Sequence, residues 1–144
     1  MCHHGPWHGA CVCARPVKYV LIAEDDPVVA QLISEEISER LYIATHVVAN
    51  GALVPEAVAA RRPDLLILDL ALPGLSGLDV FDIMRSDPAG QEVPILFLTG
   101  SPDKVEPSML ERSGTHRLIT KPFEVDALLR VVDELVDARL VPAA

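Results

Sequence analysis

An α/β domain, built as a parallel sheet with crossover helices, is predicted by three features of this 144-residue chain. From Val17 onward, short runs rich in Val, Ile and Leu alternate with stretches of helical period, which is the pattern of parallel strands joined by helices. Five such runs occur, and the first, third and fourth are apolar at nearly every position, as strands covered on both faces must be. The length also suits a single core, since domains commonly run to roughly 100 to 200 residues.

The first run, Tyr19 to Ala23, leads into Asp26-Pro27, a capping carboxylate followed by the imino acid that loses nothing at the first helical position. In the helix that follows, Val28, Val29, Leu32, Ile33, Ile37 and Leu41 recur at helical spacing and are expected inward, opposite Gln31, Ser34, Glu35, Glu36 and Arg40. The second run, Ile43 to Val48, is more mixed and suits a sheet edge. A short helix from Pro55 to Arg61 is stopped by Pro63. Leu65 to Leu68 and Pro94 to Leu98 are the third and fourth runs, and the helix between them spans Leu78 to Arg85, ending near Asp87-Pro88. Ser101 to Gly114 contains Pro102 and Pro107, so any helix there is short and starts no earlier than about Pro107. The fifth run, Arg117 to Ile119, suits the other edge. The last helix runs from about Val125 to Arg139 with Leu128, Leu129, Val132, Leu135 and Val136 inward.

Composition excludes several classes of function. Lys plus Arg number 12 against 21 Asp plus Glu, a formal net charge of -9. Affinity for DNA comes from basic side chains neutralising phosphates, and the one close basic pairing is Arg61-Arg62, so no nucleic-acid partner is expected. The apolar runs stop far short of the roughly 20 residues that a membrane span needs. All three cysteines, Cys2, Cys11 and Cys13, lie in the leader MCHHGPWHGACVCARP, so no disulfide staples the core. That leader lacks the basic start and continuous apolar stretch of a secretory signal, and a reducing, cytoplasmic setting is the default expectation. Cys2, His3, His4, His8, Cys11 and Cys13 are residue types that zinc prefers, but their spacing fits no established ligand pattern. Residues 1–16 are read as a disordered extension.

Ligands of open parallel sheets bind beyond the carboxyl ends of the strands. There the first strand supplies Glu24-Asp25-Asp26, the third Asp69, the fourth Thr99 and the fifth Thr120-Lys121-Pro122. One acid suffices to cap a helix, which accounts for Asp26 and leaves Glu24 and Asp25 over. Several carboxylates at one edge raise each other's pKa unless a cation joins them, and a hard divalent ion such as Mg²⁺ takes such oxygen ligands together with phosphate oxygens. An aspartate on a strand tip, a metal beside it and a lysine opposite suit phosphoryl transfer, because metal and ammonium neutralise the charge on the transferring group.

The segments VLIAEDDP (Val20 to Pro27), LLILDLALPGLSGLDV (Leu65 to Val80), VPILFLTG (Val93 to Gly100) and TKPF (Thr120 to Phe123), in this order and spacing, resemble the receiver domain of two-component response regulators. The resemblance covers about Val17 to Leu140. It implies a flavodoxin-like, doubly wound, five-stranded parallel sheet in order 2-1-3-4-5 with helices on both faces, as in stand-alone chemotaxis-type regulators. It further implies a receiver domain over residues 17–141, and since only Val-Pro-Ala-Ala follows Leu140, no output domain is expected. By the same likeness Asp69 is the phosphoacceptor, supplied by a histidine kinase or histidine phosphotransfer protein. Asp25 binds Mg²⁺ directly, Glu24 through a metal-bound water, and Asp69 with the main-chain carbonyl of Ala71 completes the ligands. Thr99 and Lys121 contact the phosphoryl group and gain a partner that they lack beforehand. Pro122 follows a cis peptide that aims Lys121 into the site, and the small Gly100 leaves access to the phosphate open.

Two departures from the family pattern alter the expected switch. Leu118 stands where an aromatic residue is usual, three residues before Lys121, and the stretch Ser101 to Gly114 replaces what is normally a full helix. The output face of the family, made by the fifth strand and the helices beside it, is expected to signal to a downstream protein target, with the chain a monomer or weak homodimer. Two other readings compete. One is a degenerate receiver used only as a binding module. The other is a Mg²⁺-dependent phosphohydrolase with Asp69 as nucleophile, disfavoured because such hydrolases place a second acid two residues on, where this chain has Ala71. If the switch works through Ser101 to Gly114, hydrogen exchange there is expected to change with a phosphoryl mimic; equal protection with and without the mimic excludes it.

Overall fold

Five parallel strands form one sheet in the order β2-β1-β3-β4-β5, in a computed structural model that describes residues 18–88, 90–101 and 117–140. The strands are β1 (Tyr19–Ala23), β2 (Ala44–Val48), β3 (Leu65–Asp69), β4 (Ile95–Thr99) and β5 (Arg117–Thr120). Among the described residues, α1 (Pro27–Leu41), α2 (Val54–Ala60) and α3 (Gly77–Ser86) connect successive strands and α4 (Val125–Leu140) follows β5, with a 3-10 turn at Gly51–Leu53 before α2. The expected class, strand order and edges are those observed. The leader and almost all of the Ser101 to Gly114 stretch lie outside the described residues, and with them the expected short helix there.

Successive side chains of a strand point to opposite faces, and the core divides accordingly. Leu21, Ala23, Leu66, Leu68, Ile95 and Phe97 pack with Val54 and Val58 of α2 and Val80, Phe81 and Met84 of α3. Val20, Ile22, Leu65, Ile67, Leu96 and Leu98 pack on the other face with Ile33 and Ile37 of α1 and Leu128, Val132 and Val136 of α4. All residues of β1, β3 and β4 are buried, which is why these strands read as unbroken apolar runs.

The elements depart from the sequence reading in informative ways. Strands β3, β4 and β5 each continue one residue further than apolar character indicates, because the ladder pairs backbone whatever the side chain: Asp69 pairs with Leu98 and Thr99 with Thr120. Asp69 and Thr99 are therefore held on the rigid sheet. On α1, Val28 and Leu32 are exposed, Val28 to 74%, while Ala30 is buried beside Ile33 and Ile37. At 3.6 residues per turn, Val28 lies about 140° and Leu32 about 100° around the helix from Ile33, whereas Ala30 lies only about 60° away. Arg85, at the end of α3, had no role in the sequence reading. Its guanidinium lies over the Phe81 ring and donates to the carbonyls of Gly90, Gln91 and Val93, closing the connection to β4.

Capping side chains start two of the helices, the one at Asp26 as the sequence indicates. The Asp26 carboxylate accepts from the N–H groups of Val28 and Val29, and the Ser76 hydroxyl accepts from Asp79 N–H. Helix α1 ends on Tyr42 in the left-handed region, with φ 57, and the side chain is 87% exposed. A Cβ is disfavoured in that conformation, and glycine is the usual residue there. Tyr42→Gly is therefore expected to stabilise the fold by about 0.5–1 kcal/mol, the relief of strain being partly offset by the freer unfolded chain. Urea denaturation checks it, and a less stable variant would show that Tyr42 makes a contact worth more than its strain.

Candidate functional site

The pleat that sorts the core also assembles the acids. Val20 and Ile22 of β1, and Leu65 and Ile67 of β3, share one face. Carried on by two residues, the same alternation sends Glu24 and Asp69 to that side at the carboxyl edge of the sheet. Glu24 is 1% exposed and Asp69 3%, whereas Asp25 faces solvent. Carboxylate oxygens of Glu24, Asp25 and Asp69 lie within 4.8 Å of one another.

Lys121 reaches across from the far side of the sheet, beyond the end of β5. Its Nζ donates to Glu24 Oε1 at 2.9 Å and Oε2 at 3.0 Å, and to Asp69 Oδ2 at 2.8 Å. The Lys121–Pro122 peptide is cis. The other Asp69 oxygen, Oδ1, accepts from Ala71 N–H at 2.9 Å. The expectation that Lys121 lacks a partner before phosphorylation is therefore corrected: two buried carboxylates need a compensating charge, and the ammonium supplies it.

These contacts separate the two acids electrostatically. Burial pushes the Glu24 carboxyl up and the Asp69 carboxylate adds to it, against the pull of Lys121, leaving Glu24 at about 7. Burial also acts upward on Asp69, but hydrogen bonds with Glu24, Lys121 and Ala71 N–H outweigh it and hold Asp69 below the usual carboxylate range. For Lys121, burial acts downward and is outweighed by the two acids, so its ammonium is held above its ordinary value. The two carboxylates titrate as a coupled pair, with Glu24 shifted toward protonation and Asp69 toward ionisation.

Thr99 sits on the opposite parity. It lines a cleft of about 340 Å³ with Ala71, Leu78 and Gly100 among others, and its hydroxyl oxygen accepts from Ser101 N–H at 3.0 Å. A Cβ on Gly100 would meet nothing within 4 Å, so the cleft is open at that point among the described residues. Leu118 is half-buried against the core layer of α2 and α3.

The donor set fits a hard divalent cation. Three carboxylates supply oxygens only, and ligands of one octahedral Mg²⁺ stand about 2.9 to 4.2 Å apart, within reach of the observed cluster after small side-chain rotations. No described helix is long and apolar enough to cross a membrane.

Comparison with known proteins agrees with this geometry. A family model described as response regulator receiver domain matches residues 20–133. The DNA-binding response regulator MtrA of Mycolicibacterium smegmatis is 34% identical over 110 residues, 76% of this chain and 46% of that protein. A hybrid signal transduction histidine kinase of Dictyostelium discoideum is 32% identical over 115 residues, 79% of this chain and 7% of that one. The chain thus spans about half the length, or less, of these curated relatives. Among solved structures, a Francisella response regulator receiver domain superposes with TM-score 0.73 at 27% identity, covering 84% of this chain and 98% of that one. The receiver domain of a Pseudomonas aeruginosa sensor histidine kinase, which has a magnesium ion in its active site cleft, superposes with TM-score 0.72 at 26% identity, with the same two coverages.

The raised Glu24 value has a direction that stability measurements detect. Folding favours its protonated form, so its contribution is complete below about 4.5 and is lost as pH rises to about 7. In the presence of a chelator, the unfolding free energy is expected to fall between about pH 5 and pH 8 by on the order of 2 kcal/mol more in the native chain than in Glu24→Gln. Parallel pH profiles of the two proteins would show that Glu24 is ionised throughout.

Proposed function

Since the chain belongs to the response regulator receiver domain family, we infer that it is a phosphorelay switch in which Asp69 accepts a phosphoryl group from a histidine kinase or histidine phosphotransfer protein. The observation that carries this reading is the bridge of Lys121 between Glu24 and Asp69, which leaves one strand-tip carboxylate ionised beside an acid cluster suited to a cation.

The chemistry follows from the donors present. An Asp69 oxygen attacks phosphorus, the bond from phosphorus to the imidazole nitrogen of the donor breaks, and its electron pair stays on that nitrogen. Asp69 does not need to be deprotonated first, because its neighbours already hold it ionised. Glu24, Asp25, Asp69 and the main-chain carbonyl of Ala71 would hold Mg²⁺, which when bound neutralises charge on the phosphoryl oxygens. On phosphorylation, Lys121 exchanges a carboxylate oxygen for a phosphoryl oxygen. The Thr99 hydroxyl, at the rim of the adjoining cleft, donates to another. These new contacts exist only in the phosphorylated state, which is the condition for shifting a conformational balance.

Several further points belong to the same reading. Asp69 serves as acceptor rather than as a catalyst with an external turnover substrate. Val28 and Leu32, exposed on α1 just beyond Asp26, give a phosphodonor protein an apolar surface close to the acids. With Leu118 at the usual aromatic position, the output change proceeds without a ring rotation and passes to a downstream protein target in the cytoplasm.

Incubation with a small acyl phosphate and Mg²⁺, followed by intact mass, is expected to show one added phosphoryl group that is absent in Asp69→Asn. Thr99→Ala is expected to slow the uptake by on the order of tenfold to a hundredfold. No mass gain in the native chain, or the same gain in Asp69→Asn, excludes the assignment.

A further inference from the structure

The exit of edge strand β2 carries no acid, yet it touches both acid-bearing segments. The carbonyl of Val48 accepts from Glu24 N–H at 3.0 Å, and three residues on, Gly51 N–H donates to the carbonyl of Pro73 at 3.0 Å. Asn50 Oδ1 accepts from Ala52 N–H at 2.8 Å, capping the 3-10 turn and fixing its own side chain. The contact with the loop after Asp69 leaves no space. A Cβ on Gly51 would stand 1.9 Å from the Leu75 carbonyl oxygen, and one on Gly74 would stand 2.0 Å from Asn50 Oδ1. Gly74 also lies at φ 81, a conformation that other residues rarely adopt.

The other end of that loop closes on itself, since Gly77 N–H donates to the carbonyl of Leu70 at 3.2 Å. Residues 70–76 are therefore held at both ends. Between these anchors lies Ala71, whose N–H orients Asp69 through Oδ1. The segment that aims the Asp69 carboxylate is thus braced by a turn from a neighbouring strand, and that strand is tied in turn to the backbone of Glu24.

The geometry points to Asn50-Gly51 as a positioning element of the acid site. It fixes the Asp69–Ala71 segment against Glu24 and Asp25, and so sets the affinity for a divalent cation and, through it, the rate of phosphoryl uptake, while contacting neither the cation nor the phosphoryl group. The cation half stands on the acid cluster alone; the phosphoryl half rests on the function proposed above. Mg²⁺ demands near-ideal octahedral geometry at about 2.0–2.1 Å, so small displacements of the loop weaken its binding in a protein that is still folded. A residue with a merely structural role lowers stability and leaves that affinity unchanged.

The test uses the full chain, with Mg²⁺ alone as the probe in calorimetric titration, at a temperature where every variant is folded. Asn50→Ala is expected to raise the Kd for Mg²⁺ roughly threefold to tenfold, toward the effect of losing a group that orients a metal ligand. Phosphoryl uptake from a small acyl phosphate is then slower at low Mg²⁺ and restored at saturating Mg²⁺. Asn50→Ser, which keeps a neutral capping oxygen, regains most of the affinity. Val58→Ala, which shortens a buried side chain of α2, lowers stability but keeps the native Kd. An unchanged Kd in Asn50→Ala, or an equal loss in Val58→Ala, overturns the proposal. If the native chain binds Mg²⁺ but gains no phosphoryl group, the phosphorelay reading fails while the Asn50→Ala titration still decides the brace. If the native chain binds no Mg²⁺, both fail.

Discussion

Two carboxylates buried within hydrogen-bond reach of one ammonium constrain the whole carboxyl edge of this sheet. Glu24 and Asp69 are almost inaccessible to water, and burying even one unpaired charge costs several kcal/mol. Lys121 Nζ, 2.8 Å from Asp69 and 2.9 Å from Glu24, offsets that cost and ties together the exits of β1, β3 and β5. One ammonium balances one carboxylate, so the pair divides: Glu24 moves toward protonation and Asp69 remains ionised. A divalent cation held by Glu24, Asp25 and Asp69 would favour their ionised forms, so its binding would depend on pH.

Such an arrangement needs a scaffold that does not give way. The acids and Thr99 stand at the ends of three strands, β1, β3 and β4, whose residues are all buried, and Asp69 and Thr99 are themselves paired to neighbouring strands. Core layers on both faces, one with α1 and α4 and the other with α2 and α3, hold the strands at fixed spacing. The loops then supply what the strands cannot. Ala71 orients Asp69, Gly51 and Gly77 bring backbone against backbone, and Gly74 lies against the Asn50 side chain.

Much of this was legible before any coordinates. The alternation of apolar runs with helical stretches gave the class, and the contrast between unbroken and mixed runs separated central strands from edges, because a strand covered on both faces has no polar positions. The acids, the threonine and the lysine stood at strand ends, which is where an open parallel sheet places its ligands. Errors arose where a one-dimensional pattern is ambiguous. Val28 and Leu32 fit the helical repeat of α1 yet lie on its outer side, since spacing marks a stripe without fixing where the partner layer ends. The strands stopped one residue short, since hydrophobicity ends at Asp69 and Thr99 while hydrogen bonding continues.

By itself the sequence determined the succession of elements, the cap at Asp26, and the set of side chains at the acid site. These follow from local steric and polar preferences that act over a few residues. Only the tertiary structure decided that Lys121 already bridges Glu24 and Asp69, that Asp69 keeps its charge while Glu24 gives up part of its own, and that the exit of β2 locks onto the loop beyond Asp69. Each of these depends on distances between segments far apart in the chain. Charge compensation in a water-poor site falls off over a few ångströms, and no pattern along the sequence records that length.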